Sequence, residues 1–208
     1  MFTICTAFVE DGKLEEFLKD LPESEKNFTE DIGVLFRKFF QCQIQPHIIW
    51  SLTKWVSGKA HHDAAQSILK TRRDDRFASV AFGPEPYFEI FCKAEEGLSI
   101  GEYSDSYDFF IVVHVLINDK VTKEFIELRK NRCEELKDKL QWMRVFHNYS
   151  NNSEFVAFLG FKNEYQFEKL RKVGDFYLEE YLFTGIKEPL GMSYIASYNQ
   201  FICRLIIL

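Results

Sequence analysis

The sequence has no Cys-x-x-Cys pair, no glycine-rich phosphate loop, no dinucleotide fingerprint and no Ser or Cys nucleophile motif. These absences exclude a zinc knuckle, a thioredoxin-type redox centre and the common hydrolase and nucleotide-binding signatures. There is no Lys/Arg stripe, and the net charge of −6 is spread along the chain, so a nucleic-acid partner is not expected. No apolar run approaches the length of a membrane span, the C-terminal one being only Leu205–Leu208. The opening Met1-Phe2-Thr3-Ile4-Cys5 lacks a charged leader and leads into an acidic stretch, which reads as no signal peptide. Five scattered cysteines, Cys5, Cys42, Cys92, Cys133 and Cys203, read as free thiols in a cytoplasmic protein.

Aromatic residues are abundant: 22 Phe, 9 Tyr and 3 Trp bring enough flat apolar area for thick packing layers or an aromatic-walled cavity. With 208 residues, 46% of them hydrophobic, the chain can build one large core or two smaller ones. Periodicity predicts a strand over Phe2–Val9, a helix over Lys13–Leu21, strands over Phe36–Ile44 and His47–Trp55, a helix from Gly58 to Lys70 and a strand over Tyr87–Cys92. The same order returns with strand Phe109–Ile117, helix Val121–Lys139, strands Trp142–Tyr149 and Glu154–Phe161, a helix from Glu164 and a last strand.

Placing Ile49 on Phe155, a shift of 106, also puts Phe40 on Phe146, Leu52 on Phe158 and Trp55 on Phe161 without a gap. The chain therefore reads as two βαββαβ repeats of ferredoxin-like order, over 1–98 and 107–208, with 99–106 connecting them inside the Gly, Ser and acid-rich segment Ala94–Ser106. Strand Phe109–Ile117 is apolar on both faces, which an antiparallel sheet achieves when helices cover one face and a second sheet the other. The expected architecture is an α+β barrel within one chain, its antiparallel sheets facing each other and its helices outside.

Trp55-Val-Ser-Gly-Lys-Ala-His-His62, a strand end carried into a helix, together with the βαββαβ order, resembles the dimeric α+β barrel superfamily, most nearly its antibiotic-biosynthesis-monooxygenase branch. The resemblance covers both halves, although Phe161–Phe167 in the second lacks the Trp and His. It implies a small oxygenase-like enzyme acting on an apolar aromatic molecule that reacts with oxygen directly. The alternative is a non-catalytic protein of this fold that binds a ligand or a second copy. Heme-degrading members of the family use an Asn on the first strand, a Trp at this strand end and a His further along the helix, of which only Trp55 carries over. No cofactor is therefore expected, heme being disfavoured, and the chain is expected to act as a monomer with pseudo-dimeric repeats or as a homodimer.

His61 and Trp55 are the candidate catalytic residues, His61 as base or orienting group. Ala64, Ala65 and Ile68 follow His61 at helical spacing, so it points at the sheet; a core place otherwise held by an aromatic is the plainer reading, since Phe167 matches it. His62 lies about 100° around the helix, so the two histidines cannot grip one metal, and no metal site is expected. Thr6 and His114 hold matching places in apolar first strands and are candidate substrate-binding groups if their strand face looks toward the helices. His47 and His147 receive no role. The run Arg72-Arg73-Asp74-Asp75-Arg76 reads as surface ion pairs, and Glu15-Glu16, Glu95-Glu96, Glu134-Glu135 and Glu179-Glu180 as solvated faces.

Overall fold

The computed structural model describes residues 1–10, 12–26, 28–71, 88–184 and 195–207. Strand β1 (Phe2–Phe8) is followed by helix α1 (Leu14–Glu25), β2 (Val34–Cys42), β3 (Ile48–Trp55), α2 (Gly58–Thr71) and β4 (Phe88–Ile100). Then come β5 (Phe109–Ile117), α3 (Thr122–Leu136), β6 (Trp142–Asn148), β7 (Glu154–Phe161) and α4 (Glu164–Leu170). Short strands β8 (Lys172–Val173) and β9 (Phe176–Tyr177), a π-helical turn Glu180–Thr184 and β10 (Ile195–Ile206) complete the order. The protein is a mixed α+β fold whose long strands pair antiparallel in the orders β4-β1-β3-β2 and β10-β5-β7-β6. Among the described residues no helix is long and apolar enough to cross a membrane.

The chain divides into two compact units, the first Met1–Cys92 with Leu205–Leu208 and the second Lys93–Arg204. In the first, β1 pairs with β3 on one side and β4 on the other, and β3 pairs with β2. Thr3 faces Thr53, Cys5 faces Ser51 and Ala7 faces Ile49, while Thr3 and Cys5 meet Phe91 and Glu89 on β4. Strand side chains alternate between faces, so one layer position decides the whole face. Ala7 and Ile49 pack with Phe17 and Leu21 of α1, which places the odd-numbered residues of β1 and β3 on the helix side.

In the second unit β5 lies between β7 and β10, and Ile111, Val113 and Val115 face Leu159, Ala157 and Phe155. These residues share one apolar core with Phe125 and Cys133 of α3 and Phe167 of α4. Arg129 of α3, fully buried, hydrogen-bonds the Phe183 carbonyl through Nη2 at 2.8 Å and lies over the Phe125 ring. That bond anchors the π-helical turn on α3.

Several sequence expectations shift. Helix α1 does not stop at Leu21 but runs through Pro22 to Glu25, whose carboxylate reaches Arg37 Nε on β2 at 3.1 Å. Strand β4 continues to Ile100 through the segment expected as a seam, because Leu98 and Ile100 alternate inward beneath its polar composition. The hairpin β8–β9 and the π-helical turn have no counterpart in the periodicity. The charged run Arg72–Arg76, the turn Gly83–Pro86 and Glu188-Pro189 lie outside the described residues.

Candidate functional site

The link between β3 and α2 positions the first candidates. Trp55 closes β3, and Ser57 Oγ accepts from the Ala60 amide at 3.1 Å, starting the helix as an N-cap does. Gly33 makes room for this turn: its φ is +89°, and a Cβ there would stand 2.7 Å from the Ala60 Cβ. One turn into α2, His61 is wedged edge-on between Trp55 and Phe91, with ring centroids at 4.9 and 5.0 Å. Trp55 is 3% exposed, and its indole Nε1 donates to Thr3 Oγ1 at 3.0 Å, so the ring is fixed at both ends.

His61 therefore points at the sheet as its helical spacing predicts, and His62 is exposed. The residue that sequence reasoning missed is Glu89. Its Oε1 lies 3.3 Å from His61 Nε2 and 3.5 Å from the Cys5 thiol, which donates to it. One carboxylate oxygen thus joins an imidazole on the helix to a thiol on β1. The available signal was register: once β4 pairs with β1, Glu89 must sit beside Cys5 on the helix side.

The surroundings of this trio are polar. Thr3, Ser51 and Thr53 are buried on the helix-facing side of β1 and β3, between the apolar cluster under α1 (Phe17, Leu21, Phe39, Ile49) and that at the start of α2 (Val34, Trp55, Ala64). In the second unit the helix-facing side of β5 and β7 belongs to a single apolar core.

Thr6 and His114 are not brought to His61. Each lies on the even-numbered side of its strand, away from the helices, so neither belongs to a sheet–helix cleft. Thr6 Oγ1 is buried with no hydrogen-bond partner among the described residues. His114 Nε2 is 2.8 Å from Glu154 Oε1, whose other oxygen accepts from Asn148 Nδ2 at 2.6 Å. Those bonds, the one from His114 foremost, hold the Glu154 carboxyl below its ordinary range. His147 has both ring nitrogens engaged, by Glu95 and by the Asn152 carbonyl, and stacks on Phe155 at 4.3 Å.

The acidic pairs were expected to be solvated, yet Glu179 is buried and its carboxyl is pushed up, chiefly by desolvation. No cluster of three or more metal-ligating side chains occurs among the described residues. All five cysteines are buried.

No family model matches the sequence, and no curated protein matches it. Solved structures do. A provisionally named monooxygenase from Fusobacterium nucleatum superposes with TM-score 0.72 at 14% identity, over 99% of this chain and 92% of the other. Another from Lactobacillus acidophilus gives 0.67 at 14%, over 99% and 93%. An anthrone oxidase-like protein gives 0.70 at 11%, over 98% and 90%. At these identities the likeness establishes the fold.

The same fold also matches a heme-degrading enzyme from Listeria monocytogenes (0.53, 12%) and chlorite dismutase from Candidatus Nitrospira defluvii (0.61, 7%). This overturns the expectation that no cofactor is involved and that heme is disfavoured. That expectation rested on a missing Asn and a displaced His, and a shared fold with heme enzymes removes its force. In unit 2 the layer between sheet and helices is filled by Phe125, Phe155, Phe167, Leu182 and Phe183. In unit 1 a helix imidazole backed by a carboxylate has the donor chemistry that a heme iron takes, so His61 is the residue that would hold one.

Proposed function

We propose that the chain is an oxygenase-type protein that binds one flat, largely apolar ring system beside Trp55, His61 and Phe91. The two units are read as copies of one βαββαβ plan, whose first copy kept a site and whose second became core. The observation that carries this reading is a contrast at matched register. The pairs Thr3–Thr53 and Cys5–Ser51 of the first unit stand where the second has Ile111–Leu159 and Val113–Ala157. His61 stands where the second has Phe167, and Glu89, beside Cys5, stands where it has Gln200, beside Val113. Burying small polar groups between a sheet and a helix costs stability unless they are satisfied or used. A polar strip of this kind supports a ligand site over a second core.

Two members of the ring class follow from the matched structures. For an oxidisable polycyclic ketone such as anthrone, the ring proton of His61 is held at Nε2 by Glu89, which leaves Nδ1 as the atom that takes a proton. Removing a carbon-bound proton gives a carbanion that reacts with dioxygen: anthrone plus O2 yields anthraquinone plus water. Trp55 and Phe91 would orient the ring and keep water off the carbanion. For heme, His61 would be the residue that holds the group, and the iron would supply oxygen activation when bound. With two units in one chain, the site needs no second copy to complete it. Thr6 and His114 are outside the proposed site.

Oxygen uptake with anthrone and the Soret band on hemin titration separate the two members. His61→Ala is expected to lower the positive response at least tenfold with the far-ultraviolet circular dichroism unchanged. A wild-type protein that neither consumes oxygen with anthrone nor binds hemin, or a His61→Ala variant that responds undiminished, overturns the reading.

A further inference from the structure

We infer that residues 178–184 form a proton-operated strap, closed over the apolar core of unit 2 while Glu179 keeps its carboxyl proton and released when that proton leaves. The strap lies wholly within unit 2, so it stands or fails separately from the ring-binding reading of unit 1.

Closure has a clear physical basis. Leu178, Leu182 and Phe183 are 1–2% exposed and belong to the same core as Phe125, Phe155 and Phe167. Polar bonds fasten the backbone around them. The Leu178 amide donates to the Arg171 carbonyl at 2.8 Å, and Arg129 Nη2 donates to the Phe183 carbonyl, also at 2.8 Å. Arg132 Nη1 donates to the Tyr181 carbonyl, and the Tyr181 hydroxyl donates to Glu135. Residues Glu180–Thr184 are π-helical, a form that seldom extends past one turn.

Glu179 works against this closure. It is 5% exposed, and its Oε2 is buried with no hydrogen-bond partner among the described residues. A carboxylate ion there would hold its charge away from water with one oxygen unsatisfied, which costs far more than the neutral acid. The groups around it do not compensate. On β10, Gln200 hydrogen-bonds the carboxyl, while the Tyr198 hydroxyl donates to Gln200 Oε1 at 3.5 Å and brings no positive charge. On the turn itself, Glu180 adds like charge. Arg171, just past α4, is the cation that acts on Glu179, yet its Nη1 is engaged by Glu168 at 3.1 and 3.3 Å. On α3, Arg129, Arg132 and Glu135 are engaged with Phe183 and Tyr181, and Lys172 of β8 lies over the Tyr177 ring.

Release gives one proton to solvent. The closed strap binds that proton more tightly than the open one, so closure is complete below the ordinary carboxylate range. It weakens as pH rises through the raised folded value and levels off above it. The pairing of β5, β6 and β7 does not involve this carboxyl, so the opening is local.

Hydrogen exchange of peptides covering 178–184, corrected for the intrinsic rate and followed from pH 5 to pH 9 on the full chain, tests the strap. The open population is expected to grow about fivefold or more over that range, with β6 and β7 unchanged. Glu179→Gln, neutral at every pH, should keep the strap closed and remove the growth. Equal growth in Glu179→Gln, equal growth in β6 and β7, or a wild-type strap that does not respond to pH would overturn the inference. Should Glu179→Gln not fold, the contrast between the strap and β6 and β7 in the wild-type protein decides alone.

Discussion

At the scale of single residues, two buried carboxyls impose opposite pH dependences. Glu154, held below its ordinary range by His114 and Asn148, is ionised in the fold at pH values where the unfolded chain has begun to take up protons. It contributes stability that is fully present above the unfolded carboxylate range and is lost as pH falls through the lower folded value. Glu154→Ala should cost about 1–3 kcal/mol at pH 7 and flatten the acid limb of urea-unfolding curves measured between pH 7 and pH 3. Glu179 has the reverse sign. Its carboxyl is pushed up by desolvation, so the fold holds the proton after the unfolded chain has lost it, and stability falls as pH rises through that interval. Glu179→Gln should therefore raise the melting temperature at pH 7, by about 2–4 °C for each kcal/mol recovered, and change nothing below the carboxylate range. Neither behaviour was legible in the sequence. Glu154 read as the edge of a strand and Glu179 as half of a solvated pair, because burial of a carboxylate depends on chain segments far away in sequence. His61, in contrast, was legible as inward-pointing from helical spacing alone.

At the scale of elements, helix α2 carries the site, and its seating depends on backbone shape more than on side-chain chemistry. Gly33 holds a left-handed φ where any Cβ would strike Ala60 and Val56. Gly33→Ala combines backbone strain with a steric clash and should destabilise by about 1–3 kcal/mol. It should also weaken ring binding more than an equally destabilising change remote from α2, such as Val145→Ala in β6; matched binding losses would show that α2 seating is not special. Element identities were readable from periodicity, but boundaries were not. The helix expected to end at Leu21 continues through Pro22 and brings Glu25 to Arg37. The polar letters of Ala94–Ser106 hid the inward alternation of Leu98 and Ile100, which makes β4 thirteen residues long. Composition marks solvent exposure on one face and says nothing of the other.

At the scale of the whole molecule, each unit carries its own antiparallel strands, and the sequence of β5, apolar on both faces, already read as a strand covered on both sides. The candidate site was only half legible. Trp55 and His61 could be paired along the chain, whereas Glu89 and Cys5 join them solely through the register of β4 on β1. The same logic explains why Thr6 and His114, matched in sequence, fall on the opposite side of their strands: a face assignment requires knowing where the helices pack, and one residue of offset reverses it.

In the proposed function, unit 1 alone receives a ring ligand while the matching layer of unit 2 is sealed core. Amide hydrogen exchange, read peptide by peptide with and without saturating hemin or anthrone, tests it most directly. The predicted result is slowed exchange in β1 and α2 with α4 and β10 unchanged. Protection confined to α4 and β10, or none in α2, would contradict it.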